Sequence, residues 1–301
     1  MHAVVIHETG GPEVLQYEEV ERPEPSDGEV LIRVRAASVN PIDWKNRSGM
    51  SAEDLPAVLG REVSGTVEIA RADGFSEGDE VFGWSASGGY AEFSTASAGV
   101  IAKKPAGVTF EQAAAIPVAG ITAWQALFDK GGLESGQTAL IAGAAGGVGH
   151  LAVQFAANVA GARTVGTGSS HSRDFVLGLG ADEFVDYTQQ DVAGSVSDVD
   201  VALDTVGGDV TQTLVPTLRE GGIIVTIASA PPEDAARERG ARAVLHVTGP
   251  NPDHLARVAQ LVASGDVRME ISEVLPLSEA RRAHELSETG HTRGKIVLTV
   301  G

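Results

Sequence analysis

A cluster of small residues lies between an apolar strand and an apolar helix near the middle of the chain. The strand is predicted over residues 138–143 and the helix over residues 148–160. Small residues allow a tight turn and a close approach to a pyrophosphate, and the last glycine lets the helix lie on the sheet. The helix N-terminus adds unpaired N–H groups and a partial positive charge. The turn consists of Gly143, Ala144, Ala145, Gly146, Gly147, Val148 and Gly149.

This turn favours dinucleotide binding over a merely structural strand–helix connection, because further strand–helix repeats follow it. It departs from the G-x-G-x-x-G pattern, since Ala144 stands in the place of the first glycine. The sequence therefore predicts a nicotinamide dinucleotide as the cofactor and places its pyrophosphate at this turn.

Polar residues follow the next predicted strand, residues 163–168, where an NAD-specific site would carry an acid that binds the ribose hydroxyls. This chain instead has Ser169, Ser170, His171, Ser172 and Arg173. Hydroxyls, an imidazole and a guanidinium suit the 2′-phosphate of NADPH, which a carboxylate would repel. The alternative is a helix cap, with Ser169 or Ser170 as the N-cap and Arg173 solvated. We favour NADPH.

Composition excludes several function classes. The chain has 301 residues, 22 Lys+Arg against 41 Asp+Glu, a formal net charge of −19 and no cysteine. An acidic surface repels phosphate backbones and anionic bilayers, so no nucleic-acid or membrane partner is expected. The missing cysteines exclude disulfides, thiolate nucleophiles and Cys-ligated metals. The N-terminus lacks the pattern of a signal peptide, which makes a cytoplasmic location the expectation.

The elements that must position these residues form two domains. The first hundred residues predict many short strands with Gly/Pro turns, which is typical of a compact β domain. Beyond residue 137, strands and helices alternate, which indicates a doubly wound parallel sheet. The last strand, residues 295–300, is expected to return to the first domain. The predicted boundaries are 1–115 with 252–301 for the β-rich catalytic domain, and 116–251 for the nucleotide-binding domain.

Ten motifs in order resemble the zinc-independent quinone oxidoreductase branch, the ζ-crystallin-like group, of the medium-chain dehydrogenase/reductase superfamily. The resemblance covers essentially the whole chain and implies an α/β fold with a GroES-like catalytic domain and a Rossmann domain. It also implies a homodimer, formed through the edge strand near residues 243–247. The motifs are residues 38–43, 47–49, 59–65, 78–83, 88–93, 113–124, 143–149, 179–182, 204–208 and 294–298.

The alcohol dehydrogenase branch of this superfamily binds a catalytic zinc through two cysteines and a histidine. Here the first cysteine region contains Ser38 and Asn40, and Arg61 beside Glu62 replaces the histidine motif. The eight histidines show no recurring ligand spacing, so no metal site is predicted. Without a Lewis acid, alcohol oxidation is disfavoured. Hydride addition to a quinone or to an activated C=C bond needs only donors that stabilise the developing oxyanion.

The resemblance places the loop that contains Asn40 beside the nicotinamide, with Asn40 as an amide donor and Lys45 as a cation. The alternative is that Asn40 only builds a turn before Pro41 and that Lys45 is solvated. Trp84 and Tyr90 flank a Ser/Gly-rich loop and either floor a pocket for a planar substrate or simply pack.

Further cofactor contacts are implied by the same resemblance. Lys295 is the weakest of these candidates, with a structural strand role as its alternative. The resemblance also implies Thr122 and Tyr187, with a helix-cap or core threonine as the alternative for Thr122. Thr205, Val206, Ala228 and Ser229 follow two strands of the predicted parallel sheet, at the carboxyl edge where such sheets bind ligands.

The predicted function is an NADPH-dependent, zinc-free reductase that transfers hydride to a quinone. One alternative keeps the cofactor and reduces enones or alkenals, whose activated C=C bond accepts hydride in the same way. From another class, the chain is a non-catalytic NADPH-binding redox sensor.

Overall fold

The computed structural model describes residues 1–50 and 54–301. These residues form two compact units. The first comprises residues 1–118, 250–264 and 269–301, and the second comprises residues 119–249 and 265–268. The first unit thus includes residues 116–118 and 250–251, which are predicted from the sequence to belong to the nucleotide-binding domain. The short segment 265–268 packs with the second unit.

The strands are numbered in chain order. Those before residue 110 are β1 (His2–Ile6), β2 (Gln16–Glu19), β3 (Glu29–Val39), β4 (Ala57–Val58), β5 (Glu62–Ala70), β6 (Glu80–Trp84), β7 (Phe93–Ser97) and β8 (Ile101–Lys103). The later ones are β9 (Thr138–Ala142), β10 (Arg163–Gly168), β11 (Glu183–Asp186), β12 (Val199–Asp204), β13 (Leu218–Thr226), β14 (Arg242–Leu245), β15 (Ile271–Pro276) and β16 (Lys295–Thr299).

The α-helices are α1 (Pro41–Arg47), α2 (Phe110–Ala115), α3 (Pro117–Trp124), α4 (Gly149–Gln154), α5 (Arg173–Gly178), α6 (Val192–Ser195), α7 (Asp209–Leu214), α8 (Glu233–Glu238), α9 (Pro252–Ser264) and α10 (Ala280–Glu288). Two of them continue as π-helices, α3 into Gln125–Lys130 and α4 into Phe155–Ala160. Within the described residues, no helix is both long enough and apolar enough to cross a membrane.

The first unit is built on two β-sheets. One has the order β2-β1-β4, and the other has the order β15-β16-β3-β5-β6-β8 with β7 also paired to β3. The last strand of the chain pairs antiparallel with β3, and Ile296 lies opposite Val39. The core consists mainly of β-branched residues and leucines, because these pack well on a pleated surface. Its members include Ile32, Val34, Val63, Val81, Ile296 and Leu298.

The second unit carries a six-stranded parallel sheet in the order β11-β10-β9-β12-β13-β14. Its central strands are apolar along almost their whole length, as expected when helices cover both faces of a sheet. The core includes Leu140, Val165, Ala202 and Ile224. The prediction of an α/β fold with a doubly wound sheet is confirmed.

A short helix, α1, replaces the loop expected after Asn40. Pro41 occupies the first turn, where its missing N–H leaves no helical hydrogen bond unmade. The carboxylate of Asp43 accepts the backbone N–H of Asn40 at 2.8 Å. This bond satisfies a donor at the helix start and places a negative charge at the positive end of the helix dipole.

Candidate functional site

The glycine turn has the geometry of a pyrophosphate cradle. Gly143 has a φ of 71°, a left-handed conformation that glycine adopts without strain. The N–H of Ala144 donates to the carbonyl of Thr167 at 3.0 Å, which ties the turn to β10. A Cβ at Gly149 would overlap the carbonyl of Gly143, so only glycine lets α4 begin here. These residues therefore fit the phosphates of a dinucleotide at a helix N-terminus.

The alanine in the first glycine position is accommodated by a second glycine on the neighbouring strand. Ala144 is fully buried, and a Cβ placed on Gly166 would lie 2.9 Å from the Cβ of Ala144. Gly166 thus leaves the space that the methyl group of Ala144 fills. The departure from G-x-G-x-x-G is compensated inside the sheet and does not change the outer surface of the turn.

The carboxyl end of β12 presents a tightly held loop. The buried carboxylate of Asp204 accepts the N–H groups of Val206 and Gly207, each at 2.9 Å. The hydroxyl of Thr205 donates to the carbonyl of Ala142 at 2.7 Å. Val206 leaves 52% of its surface exposed. The loop therefore offers the Val206 side chain to a ligand, whereas the N–H of Val206 and the hydroxyl of Thr205 are used within the protein.

The next loop, after β13, contains the two other candidates on this edge of the sheet. Ala228 is exposed and Ser229 is half-buried. The hydroxyl of Ser229 lies 2.9 Å from that of Thr211, which also donates to Asp204. The two loops are thus joined by one hydrogen-bond network at the carboxyl edge, where doubly wound sheets bind their ligands.

The segment predicted to bind a 2′-phosphate is organised around an acid that the sequence analysis did not single out. Asp186, at the end of β11, accepts the hydroxyl of Ser170 and both the hydroxyl and the N–H of Thr188, at 2.6 and 3.0 Å. The hydrogen bond from Ser170, followed by those from Thr188, lowers the pKa of the Asp186 carboxyl below its usual value. The carboxylate of Asp186 is thus occupied by donors from Ser170 and Thr188.

The cationic and hydroxyl groups of this segment remain at the surface. His171 and Arg173 are exposed and Ser169 is half-buried. The guanidinium of Arg173 lies 5.8 Å from the centre of the Phe184 ring. Tyr187 exposes 59% of its surface immediately after β11. Ser169 lies at the N-cap position and Arg173 is exposed, as the helix-cap alternative predicts, although the hydroxyl of Ser169 makes no cap hydrogen bond.

Thr122 does not lie at the surface. Its side chain is buried, and its hydroxyl lies 2.5 Å from the hydroxyl of Thr248. Thr248 in turn lies 3.5 Å from Nε2 of His246. Burial of the His246 imidazole lowers its pKa, so the ring is neutral near pH 7. A polar cluster of the second unit thus contains Thr122.

In the first unit, Asn40 belongs to a buried ionic cluster that consists of Asn40, Glu62 and Lys295. Its amide nitrogen donates to Oε1 of Glu62 at 2.8 Å and to the carbonyl of Ser38 at 3.4 Å. Its amide oxygen accepts Nζ of Lys295 at 2.6 Å. The amide group is therefore committed on both sides, and the expected role of Asn40 as a donor to substrate is corrected to a role within this cluster.

Lys295 and Glu62 form the centre of the cluster. Nζ of Lys295 lies 3.1 Å from Oε1 of Glu62, with side-chain exposures of 3% and 0%. The second oxygen of Glu62 accepts the N–H of Val118 at 2.6 Å, in the first turn of α3. An ammonium has three protons, and here they face Asn40, Glu62 and the carbonyl of Val39. Lys295 is thus a saturated structural cation and not a free cofactor ligand.

Lys45 and Trp84 keep accessible surface, whereas Tyr90 does not. Lys45 is half-buried, with Nζ 5.6 Å from the centre of the Trp44 ring. Trp84 is half-buried at the end of β6. Tyr90 has no exposed surface, and its ring fills the space left by Gly60, where a Cβ would lie 2.5 Å from it. The interpretation of Tyr90 as the floor of a substrate pocket is wrong.

The hydroxyl of Tyr90 instead joins a second buried network. It donates to Oδ2 of Asp43 at 3.1 Å, and Nε2 of His284 lies 3.2 Å from it. Nη1 of Arg47 lies 3.1 Å from Nδ1 of His284, and Nη2 donates to Glu288 at 2.6 Å. Burial raises the pKa of Asp43 to about 7. Burial and the neighbouring Arg47 guanidinium lower the pKa of His284 to about 3.

No metal site is formed by the side chains of residues 1–50 and 54–301. They bring together no group of three or more His, Cys, Asp and Glu that could hold an ion. The sequence has no cysteine, and Glu62 is neutralised by Lys295. The side chains around Glu62 thus do not fit zinc, which prefers thiolate and imidazole ligands.

Both units contain residues that match known protein families. Residues 26–107 match the model of the alcohol dehydrogenase GroES-like domain, and residues 179–298 match the model described as zinc-binding dehydrogenase. The chain is 33% identical to the chloroplast envelope quinone oxidoreductase homolog of Arabidopsis thaliana, over 99% of this chain and 98% of that protein. It belongs to the quinone oxidoreductase branch of the medium-chain dehydrogenase/reductase superfamily. The prediction of this family is confirmed.

Two further members of the superfamily are informative. An NADPH-dependent alkenal/one oxidoreductase of Arabidopsis thaliana chloroplasts is 34% identical, over 99% of this chain and 79% of that protein. The structure of Escherichia coli quinone oxidoreductase complexed with NADPH has a TM-score of 0.90 and 28% identity, over 99% of this chain and 100% of that one. This quinone oxidoreductase family member therefore shares its complete architecture with an enzyme crystallised with NADPH.

Proposed function

We propose that the protein is an NADPH-dependent, zinc-free quinone reductase. The observation that carries this proposal is a dinucleotide cradle in one unit together with, in the other, a buried Glu62 that is paired with Lys295 and so is not available to a metal. NADPH, when bound, supplies a hydride. The chain's own residues then have to bind the dinucleotide, orient an electron-poor acceptor and stabilise a developing negative charge.

The glycine turn would hold the pyrophosphate through its backbone N–H groups, and Val206 with Ser229 would contact the nicotinamide half. Ser169, His171 and Arg173 would hold the 2′-phosphate, and Tyr187 would cover the adenosine. The exposed cation of Arg173 is the main support for NADPH over NADH, since the nearby carboxylate of Asp186 is occupied by Ser170 and Thr188.

Lys45 and Trp84 are the proposed substrate contacts. The half-buried Trp84 would stack on a planar acceptor, and the ammonium of Lys45 would stabilise the oxyanion that forms on the acceptor. Solvent would supply the proton, since the titratable groups buried around α1 have no accessible surface from which to deliver one. A quinone and an enone satisfy the same requirements. The likeness to an alkenal/one oxidoreductase supports enones as the second candidate substrate class.

Steady-state oxidation of NADPH with 9,10-phenanthrenequinone, 1,4-benzoquinone and simple enones tests this function. We expect turnover with at least one quinone and a kcat/KM for NADPH well above that for NADH. Tight NADPH binding without turnover on any acceptor would contradict the proposal and favour a redox sensor. A kcat/KM for NADH equal to or above that for NADPH would contradict the cofactor assignment.

Arg173→Ala should lower kcat/KM for NADPH by about 10- to 100-fold, because one charge-assisted contact with a phosphate is lost. The kcat/KM for NADH should stay within about twofold, since NADH lacks the 2′-phosphate. Arg239→Ala is a control, because this arginine also lies on the surface of the second unit and donates to the carbonyl of Leu218. An equal loss for both cofactors would show that Arg173 acts through the fold.

We also propose that the protein is a cytoplasmic homodimer. β14 is an edge strand of the six-stranded sheet, and Leu245 and Val247 beside it expose 47% and 80% of their surfaces. An unpaired strand edge with exposed apolar side chains is suited to pairing with a second copy. Analytical ultracentrifugation tests the dimer.

A further inference from the structure

Successive hydrogen bonds join four buried side chains in and beside α1, and each side chain donates to the next. The four are Arg47, His284, Tyr90 and Asp43. Arg47 lies at one end and can only donate, so Nδ1 of His284 must accept. His284 remains neutral at working pH because burial and Arg47 hold its pKa at about 3. A neutral imidazole with Nδ1 as acceptor carries its proton on Nε2. His284 therefore donates to Tyr90 at 3.2 Å.

The same order of donor and acceptor continues from Tyr90 to Asp43. Since Tyr90 accepts from His284, its own proton points to Oδ2 of Asp43 at 3.1 Å. The same oxygen accepts the backbone N–H of Asn40 at 2.8 Å. Two donors thus converge on one carboxylate oxygen at the start of the helix that carries Asn40 and Lys45. Hydrogen bonds to an ionised acceptor are about twice as strong as neutral ones.

We propose that Asp43 is a positioning residue, whose ionised carboxylate, held by Tyr90, fixes the first turn of α1 and with it Lys45 for the reduction. This inference rests on the proposed reductase function. Asp43 is 2% exposed and does not reach a substrate, so it acts through the residues of its own helix. Tyr90 acts through its hydrogen bond to Asp43, and His284 acts through its hydrogen bond to Tyr90.

Charged and titratable groups from every neighbouring element face Asp43. The charge of Glu62 on β5 raises its pKa, and that of Lys295 on β16 lowers it. His284 on α10 is neutral, and Arg47 on α1 is bound to His284 and Glu288. Burial is the largest influence and raises the pKa to about 7, whereas the hydrogen bonds from Asn40 and Tyr90 lower it. Asp43 is thus the one of the four hydrogen-bonded side chains that titrates at working pH.

The hydrogen bonds to Asp43 determine whether kcat rises or falls with pH. Protonation of Asp43 weakens the bonds from Asn40 and Tyr90, so kcat should rise as the pH increases through about 7. Tyr90→Phe removes one bond that favours the ionised form, so the midpoint should move up by about half to one pH unit. Asp43→Asn keeps an oxygen that can accept both bonds but does not ionise, so this step in kcat should vanish.

The test is a titration of the ¹³Cγ resonance of Asp43 in protein labelled at aspartate, assigned by its absence in Asp43→Asn. We expect a midpoint near pH 7 in the wild type, a higher one in Tyr90→Phe, and no change in the control Tyr17→Phe, whose ring is 47% exposed. Matching kcat profiles with a constant KM for NADPH would extend the result to catalysis.

An unchanged midpoint in folded Tyr90→Phe would overturn the inference. So would a kcat profile of Asp43→Asn with the same step as the wild type. If no acceptor is turned over, the proposed function fails, and the resonance titration by itself still decides whether Tyr90 controls Asp43.

Discussion

Gly146→Val should weaken NADPH binding by at least about 100-fold and leave the protein folded. Among the described residues, and apart from its neighbours in the chain, a Cβ at Gly146 would meet within 4 Å only the carbonyl of Gly143, at 3.3 Å, so the side chain has room outside the turn. That space is where the backbone must approach the pyrophosphate. A loss of this size corresponds to about 2.7 kcal/mol of binding free energy.

Quenching of intrinsic fluorescence by NADPH measures the dissociation constant, and circular dichroism checks the fold. Gly178→Val is the matched control, because a Cβ at this glycine meets no other part of the described chain within 4 Å, its own helix backbone and chain neighbours aside, and lies elsewhere in the same unit. It should bind NADPH like the wild type. Unchanged affinity in Gly146→Val would show that the turn does not cradle the cofactor.

Lys295→Met should destabilise the protein by about 3–5 kcal/mol, because it leaves the carboxylate of Glu62 buried without a cation. Glu62 has no exposed side-chain surface, and in the variant it keeps the amide of Asn40 and the N–H of Val118 as donors but no longer has the ammonium of Lys295. Urea denaturation measures the free energy of unfolding. The double variant Glu62→Gln/Lys295→Met should recover much of the loss, since it buries no unpaired charge.

The control is Lys103→Met at an exposed ion pair. Nζ of Lys103 lies 2.9 Å from Asp79, and the lysine side chain is 58% exposed. Exposed pairs contribute about 0–1 kcal/mol, so this variant should lose little stability. If Lys295→Met lost no more than Lys103→Met, the ionic cluster would not stabilise the first unit.

Local patterns predicted most of the fold. The glycine turn and the parallel sheet follow from residue size and from strand–helix alternation, which depend on neighbours in sequence. α1 was missed because Asn40-Pro41 is also typical of a turn. The signal for a helix was present, with proline in its first turn and Asp43 three residues after the N-cap position.

The parts of the site that were missed depend on residues distant in sequence. Lys295 and Glu62 are separated by 233 positions, and Tyr90 and His284 by 194. Two glycines before Tyr90 are typical of an exposed loop, so the sequence leaves open whether its ring lines a pocket or packs in the core. Gly60 instead provides the space in which its ring is buried. Neither pairing has a signature in a single sequence.

The proposed function requires direct hydride transfer from NADPH to an electron-poor acceptor without a metal. NADPH deuterated in turn at each C4 position, reacted with a simple enone in the presence of EDTA, tests it most directly. We predict deuterium from one of the two positions at the β-carbon of the product, with no loss of rate from the chelator. Product without deuterium from either position, or activity abolished by EDTA and restored by Zn²⁺, would contradict the account.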